Sequence, residues 1–257
     1  MRKSITVTGT MVGILARFLL VLVLGVSLVQ ASDDQAALDE MTRWLKLRLQ
    51  TDAVETPVPT QIEGVYEVRY GGRIAYLVEN GRYVFIGDLV DLEQARNLTE
   101  LSRREAIVDA LAEYGDDRII VYPADGDERA VLNVFTDTSC TYCQRLHNDL
   151  RHLRAAGISV RYYPFPRGGS RGPGYSDLRK VWCADDPRGA MDIAKGSQPG
   201  QLDGPSDCAE ARYVDDGYEL GRRIGVMATP ALYTADGAYF ERGYVPHREL
   251  IPLLLNP

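Results

Sequence analysis

Between Gln35 and Gln50 the apolar residues Ala37, Leu38, Met41, Leu45 and Leu49 recur at three- and four-residue steps. That spacing lines one face of a helix. Asp33 or Asp34 stands where an N-cap is needed, and Thr56-Pro57-Val58-Pro59 breaks the pattern. The period then shortens. Val65–Tyr70, Ile74–Val78 and Tyr83–Ile86 are β-branched and aromatic runs separated by Gly71-Gly72 and by Glu79-Asn80-Gly81, so they read as a meander of hairpins. A helix plus a meander of about 60 residues lies near the lower limit for an independent core, so this unit is expected to pair with something.

From Asn97 to Tyr114 the helical period returns, rich in Leu, Glu and Arg, with Thr99 as the expected N-cap and Gly115 as the stop. It carries no chemical motif and reads as a linker. Beyond it strand and helix alternate: a strand at Ala130–Phe135, a helix at Cys140–Ala155 and a strand at Ile158–Tyr163. Two or three helices follow over 175–224, then a hairpin of Ala231–Thr234 and Ala238–Arg242, then a helix at His247–Leu255. This order indicates a sheet with helices on both faces.

The first residues differ from all of this. Arg2, Lys3 and Arg17 precede an apolar run from Phe18 to Val29, and Val29-Gln30-Ala31 gives way to polar Ser32-Asp33-Asp34. Residues 1–31 read as a cleaved export signal, with an uncleaved anchor as the alternative. The run is short beside the roughly 20 residues of a bilayer span. Of the 257 residues, 45% are hydrophobic and 25% charged, which excludes a disordered chain and suffices for one large domain or two small ones. The net charge of -7 becomes more negative when the basic leader is removed, which argues against a nucleic-acid partner.

Export places the chain where disulfides persist, and its 4 cysteines all lie in the second half. Cys140-Thr141-Tyr142-Cys143 follows a strand and opens a helix. A helix N-terminus stabilises a thiolate on the first cysteine, and the thiolate is the attacking species in disulfide exchange. The second cysteine, one turn deeper, can release a trapped mixed disulfide. Zinc needs four ligands, commonly in close pairs, whereas Cys183 and Cys208 lie singly, and His147 is a lone helix histidine. A c-type haem needs His after the second cysteine, where Gln144 stands. A purely structural 140–143 bond would close a ring too small to constrain much chain. For Cys183 and Cys208 a structural disulfide is the favoured reading; closing a loop of about 26 residues restricts the unfolded chain by roughly 3–3.5 kcal/mol. Thr229-Pro230 precedes an apolar strand. Proline there cannot donate to a ladder, and its peptide bond is trans on general frequencies, whereas a cis bond would expose the Thr229 backbone to a substrate strand.

Strand, CxxC, helix, strand, helical insert, Thr-Pro and a closing hairpin and helix resemble the thioredoxin fold. More closely, the chain resembles the DsbC/DsbG family of periplasmic disulfide isomerases. The similarity lies in Val134-Phe135-Thr136-Asp137, the CxxC with Arg145-Leu146-His147, and Gly157 to Arg167. It continues in Val181-Trp182-Cys183-Ala184 and in Gly225-Val226 through Thr229-Pro230-Ala231, and more weakly in Gly81 to Asp88. The resemblance implies a small α+β (cystatin-like) dimerisation domain over 32–96, a linker helix over 97–116 and a thioredoxin-like catalytic domain with a helical insert over 117–257. It implies Cys140 as nucleophile, Cys143 as resolving thiol, Thr229-Pro230 as a cis-proline pair facing substrate together with Thr141 and Tyr142, and Cys183–Cys208 as the structural bridge. It further implies a homodimer whose catalytic domains face an apolar cleft, misfolded disulfide-containing exported clients, the membrane reductase DsbD as electron donor, and no cofactor. Alternatives are a DsbG-like reductase protecting single cysteines and a holdase chaperone with secondary redox activity. Thr141 departs from the Gly or Pro usual in the family, at a position that tunes redox potential.

Overall fold

The structure, a computed structural model, describes residues 35–256 except 53, 79–80 and 241–242. The export segment, the Asp33 and Asp34 caps, Glu79-Asn80 and the end of the last expected strand therefore lie outside the described residues. Among those described, no helix is long and apolar enough to cross a membrane. The chain divides into two units: one of residues up to Arg69 with Ala75–Phe85, the other of Tyr70–Ile74 and the residues from Ile86 onward.

In the first unit residues 35–49 form helix α1, with Leu45 buried as its periodicity requires. The sheet runs in the order β1 (Val58–Pro59), β2 (Val65–Tyr70), β3 (Arg73–Val78), β4 (Tyr83–Phe85). Strand β1 was not expected, because prolines interrupt it. It pairs antiparallel with β2, Val58 opposite Glu67, and as an edge strand it leaves no ladder partner for the missing proline donors to fail. Strand β3 is the buried one, with Ile74, Ala75, Tyr76 and Leu77 in the core, whereas β4 forms the other edge with its side chains exposed.

From Ile86 onward the second unit opens with a two-stranded ribbon, β5 (Val90–Asp91) and β6 (Arg96–Asn97), too short to show a period. Helix α2 (Leu98–Tyr114) follows. Its N-cap is Asn97, whose side chain accepts from the Glu100 N–H, and not Thr99. Thr99 is drawn inside instead, where its hydroxyl accepts from Leu89 N–H at 2.7 Å. Gly115, at φ 93°, ends the helix as expected.

The main sheet has the order β11 (Tyr239–Phe240), β10 (Ala231–Thr234), β8 (Ala130–Thr136), β9 (Ile158–Pro164), β7 (Ile120–Tyr122). Strands β8 and β9 are parallel, joined through α3 (Thr141–Ala155), while β7 and β10 flank them antiparallel. Alternation along β8 sorts the core. Leu132 and Val134 pack with Leu146, Leu150 and Leu153 of α3 and with Leu250 and Leu254 of α7 (His247–Leu255). Phe135 and Tyr163 pack with Ile107, Ala110, Leu111 and Tyr114 of α2. Helices thus cover both faces, and burying each such side chain contributes about 1.5–3 kcal/mol. Between β9 and β10 the insert holds α4 (Tyr175–Trp182), α5 (Pro187–Ala194) and α6 (Arg212–Arg223).

Helix α6 reaches β9 through two glycines on one face. A Cβ on Gly217 would lie 2.7 Å from the Pro164 carbonyl, and one on Gly221 would lie 2.4 Å from the Phe165 ring. Gly221→Ala is therefore expected to cost about 1–3 kcal/mol by overpacking. The result should be a lower urea midpoint at unchanged m-value, and an unchanged midpoint would contradict this packing.

Candidate redox site

The site is assembled at the end of β8. Asp137 turns the chain: its fully buried carboxylate accepts from Ser139 N–H (2.8 Å), Ser139 Oγ (2.7 Å), Arg167 N–H (2.8 Å) and Arg167 Nε (3.1 Å). The Asp137 carbonyl accepts from Cys140 N–H at 3.2 Å. Cys140 consequently occupies the N-cap position of α3, where the first-turn N–H groups favour an anion. Strand β10 runs antiparallel beside β8, so Thr229-Pro230, just ahead of β10, arrives at the same end of the sheet. The Thr229–Pro230 peptide bond is cis. The Cys140 sulfur lies 3.2 Å from Thr229 O, to which it donates only when protonated.

Both thiols are reduced and buried, yet their environments oppose each other. The Cys143 thiol donates to the Cys140 sulfur, and this is the main reason that Cys140 is held well below the usual thiol range, at about 5. The Thr229 hydroxyl, the Cys143 backbone N–H and the Arg167 guanidinium act in the same direction, against the effect of burial. Among the described residues no other group bonds the buried Thr229 Oγ1, which leaves that hydroxyl to the sulfur. For Cys143, burial first and then its bond to Cys140 push the thiol far up. Thr141 and Tyr142 form an exposed rim; Tyr142 stacks on Tyr244, under Arg145. Met227, two residues before Thr229, is 91% exposed.

One turn beyond Cys143, His147 is buried rather than solvent-facing. Its Nε2 lies 3.0 Å from Asp192 Oδ1 and its Nδ1 3.2 Å from the Tyr162 hydroxyl, which assigns the proton to Nε2 and makes Tyr162 the donor. Burial lowers this imidazole to about 4, so it is neutral at neutral pH. Lys195, at the C-terminal end of α5, is also buried; its Nζ donates to Thr136 Oγ1 (2.8 Å) and to the Asp137 carbonyl (2.6 Å). Neither Lys195 nor the Arg167–Asp137 pair was singled out from the sequence. A lysine before Gly196 looks like an ordinary surface cation at a helix C-terminus. Cys183 and Cys208 are disulfide-bonded, joining the end of α4 to the turn before α6.

A thioredoxin-like sheet carrying a CxxC pair at a helix start defines a thiol–disulfide oxidoreductase. Residues 116–256 match the thioredoxin-like domain family, and residues 29–100 match the disulfide bond isomerase protein N-terminal domain. The thiol:disulfide interchange protein DsbC of Dickeya dadantii is 33% identical over 235 residues, covering 91% of each chain. That of Haemophilus influenzae is 33% identical over 82% of this chain and 88% of its own. That of Salmonella typhimurium is 30% identical over 86% and 87%. The chain belongs to the DsbC family of thiol:disulfide interchange proteins.

The unequal ionisation is measurable. In the reduced protein, alkylation by iodoacetamide should fall on Cys140, with a rate midpoint near pH 5. Cys143 should stay unlabelled. Because the folded value is depressed, the thiolate's contribution to stability is full above the unfolded thiol's pKa and is lost as pH falls through about 5. Arg167→Met should move the alkylation midpoint upward; a midpoint in the ordinary thiol range in the parent protein would refute the assignment.

Proposed function

We propose that this chain is a periplasmic disulfide isomerase, in which Cys140 attacks non-native disulfides of exported proteins and Cys143 resolves stalled complexes. The reading rests on one observation: of the two thiols, only Cys140 lies at an open helix N-terminus beside the Thr229 carbonyl. The Cys140 thiolate displaces one sulfur of the client disulfide, and a mixed disulfide forms. The freed client thiolate attacks another client disulfide, and the rearranged client regenerates Cys140. When the client stalls, Cys143 attacks the Cys140 sulfur, the client leaves as thiolate, and the enzyme is left oxidised. A membrane reductase of the DsbD type then returns two electrons. Thr141, Tyr142, Thr229 and Pro230 face the client, and Cys183–Cys208 is the structural bridge.

In the same reading residues 1–31 are a cleaved signal, 32–96 the dimerisation domain, 97–116 the linker and 117–257 the catalytic domain. The match to the isomerase N-terminal domain favours a homodimer. Edge strand β4 is the surface suited to it, since Val84, Phe85 and the adjoining Ile86 are 48%, 61% and 74% exposed beside an unpaired ladder.

Cys140→Ser should abolish refolding of a scrambled multi-disulfide client, and Cys143→Ala should accumulate mixed disulfides that can be trapped and identified. Full isomerase activity in Cys140→Ser would overturn the proposal. Capture of clients with single cysteines only would point to a protective reductase, and aggregation suppression by a variant lacking both thiols to a holdase. Separately, Phe85→Asp should convert a dimer to a monomer in sedimentation analysis; a variant that remains dimeric would place the interface elsewhere.

A further inference from the structure

Lys195 carries a charge that its visible bonds do not need. It is 2% exposed, and its Nζ donates to two neutral oxygens, Thr136 Oγ1 and the Asp137 carbonyl. Among the described residues no carboxylate is ion-paired with it. The neighbouring Asp137 carboxylate is already taken by Arg167 and Ser139. An ammonium buried without a partner is destabilising, and a neutral amide could hold the same two oxygens. The charged and titratable groups facing it are Asp137 at the end of β8, Cys140, Cys143 and neutral His147 of α3, and Arg167 after β9. Burial lowers Lys195 to about 8, and among the groups facing it the thiol of Cys143, neutral in the resting dithiol, is the one whose ionisation would favour the ammonium most.

We infer that Lys195 is the counter-charge for the Cys143 thiolate when a mixed disulfide is resolved, a positioning residue that acts through Cys143 and does not touch the client. This rests on the reading of Cys143 as the resolving thiol. In the resting dithiol the negative charge sits on Cys140, and Cys143 donates its proton to that sulfur. Once Cys140 is bonded to a client sulfur it is neutral, and the buried cation has lost that anion. Cys143 then releases its proton to solvent, and its thiolate is held by the Lys195 ammonium. That thiolate attacks Cys140 Sγ; the Cys140–Cys143 bond forms, and the Cys140–client bond breaks. The client sulfur leaves with the electron pair and is protonated from solvent. The enzyme dithiol is oxidised by two electrons and the client disulfide is reduced.

The test uses the full chain and substoichiometric 5,5′-dithiobis(2-nitrobenzoate). Attack by Cys140 releases one thionitrobenzoate, and resolution by Cys143 releases the second, so stopped flow separates the two steps across pH. Lys195→Gln keeps donors for Thr136 and Asp137 but removes the charge. It should slow the second release about tenfold or more at neutral pH, as expected for a rise of one unit or more in Cys143. The first release should change less than about twofold, since Cys140 is held mainly by Cys143. Lys195→Arg should retain the fast second step. An unchanged second release in Lys195→Gln at every pH, or equal slowing of both steps, overturns the inference. Should that variant not fold, the parent protein decides: a second release with its midpoint at or above the ordinary thiol range overturns the inference, and a lower midpoint supports it. Cys143→Ala must abolish the second release; persistence there would sink the resolving role itself, an outcome distinct from failure of Lys195 alone.

Discussion

The buried carboxylate of Asp137 holds the loop on which the chemistry of this protein depends. Its four hydrogen bonds come from Ser139 on its own loop and from Arg167 beyond β9, while its backbone carbonyl receives Cys140 N–H and Lys195 Nζ. Gly174, at the start of α4, closes the cage, since a Cβ there would lie 2.0 Å from Asp137 Oδ1. A carboxylate with no exposed surface is stabilising only when its oxygens are saturated, and here they are. The loop has little freedom to place Cys140 anywhere but at the N-terminus of α3.

That placement sets the division of labour between the thiols. Three residues of helix carry the chain from the open N-terminus, where an anion is favoured, into the core, where it is disfavoured. Cys140 therefore holds the charge and Cys143 the proton, and the hydrogen bond between them widens the separation. Two thiols in one environment would share the charge, and neither would be a ready nucleophile at neutral pH with a reserve partner behind it. Both sulfurs are buried, so the spacing of the motif sets two electrostatic environments and not two exposures.

Much of this was legible in the chain, and for identifiable reasons. Helices α1, α2, α3 and α7 and the strands β2, β3, β8, β9 and β10 are long enough, or buried enough on one face, to leave a period or an apolar run. Strands β1, β5, β6 and β7 have two or three residues and leave none. Asn97 and Thr99 both suit an N-cap; the choice was made by Leu89, a tertiary partner that claims the threonine hydroxyl. Cys140 and Thr229 carry local signals, so the candidate site could be read from two separate stretches, and the β8–β10 pairing brings them together. His147 and Lys195 carry no such signal. Their character comes from burial by groups distant in sequence, Tyr162, Asp192, Thr136 and Asp137, and nothing beside them in the chain announces it.

The helical insert is where the local and the distant meet. It interrupts the thioredoxin-like sheet between β9 and β10, and its helices are tied back to the domain by Leu178, Val181, Met191 and Val214 in the core and by Trp182 Nε1 donating to the Arg118 carbonyl. The Cys183–Cys208 bond ties the end of α4 to the turn that starts α6, and α5 lies within the loop so closed. From this loop come Asp192, which orients His147, and Lys195, which reaches under the CxxC turn. The start of α3 and the loops that carry Arg167 and Thr229 account for the lowered Cys140 thiol. Lys195, which faces Cys143, lies in the loop that the Cys183–Cys208 bond closes, so the disulfide and the CxxC pair are connected through one segment of the insert.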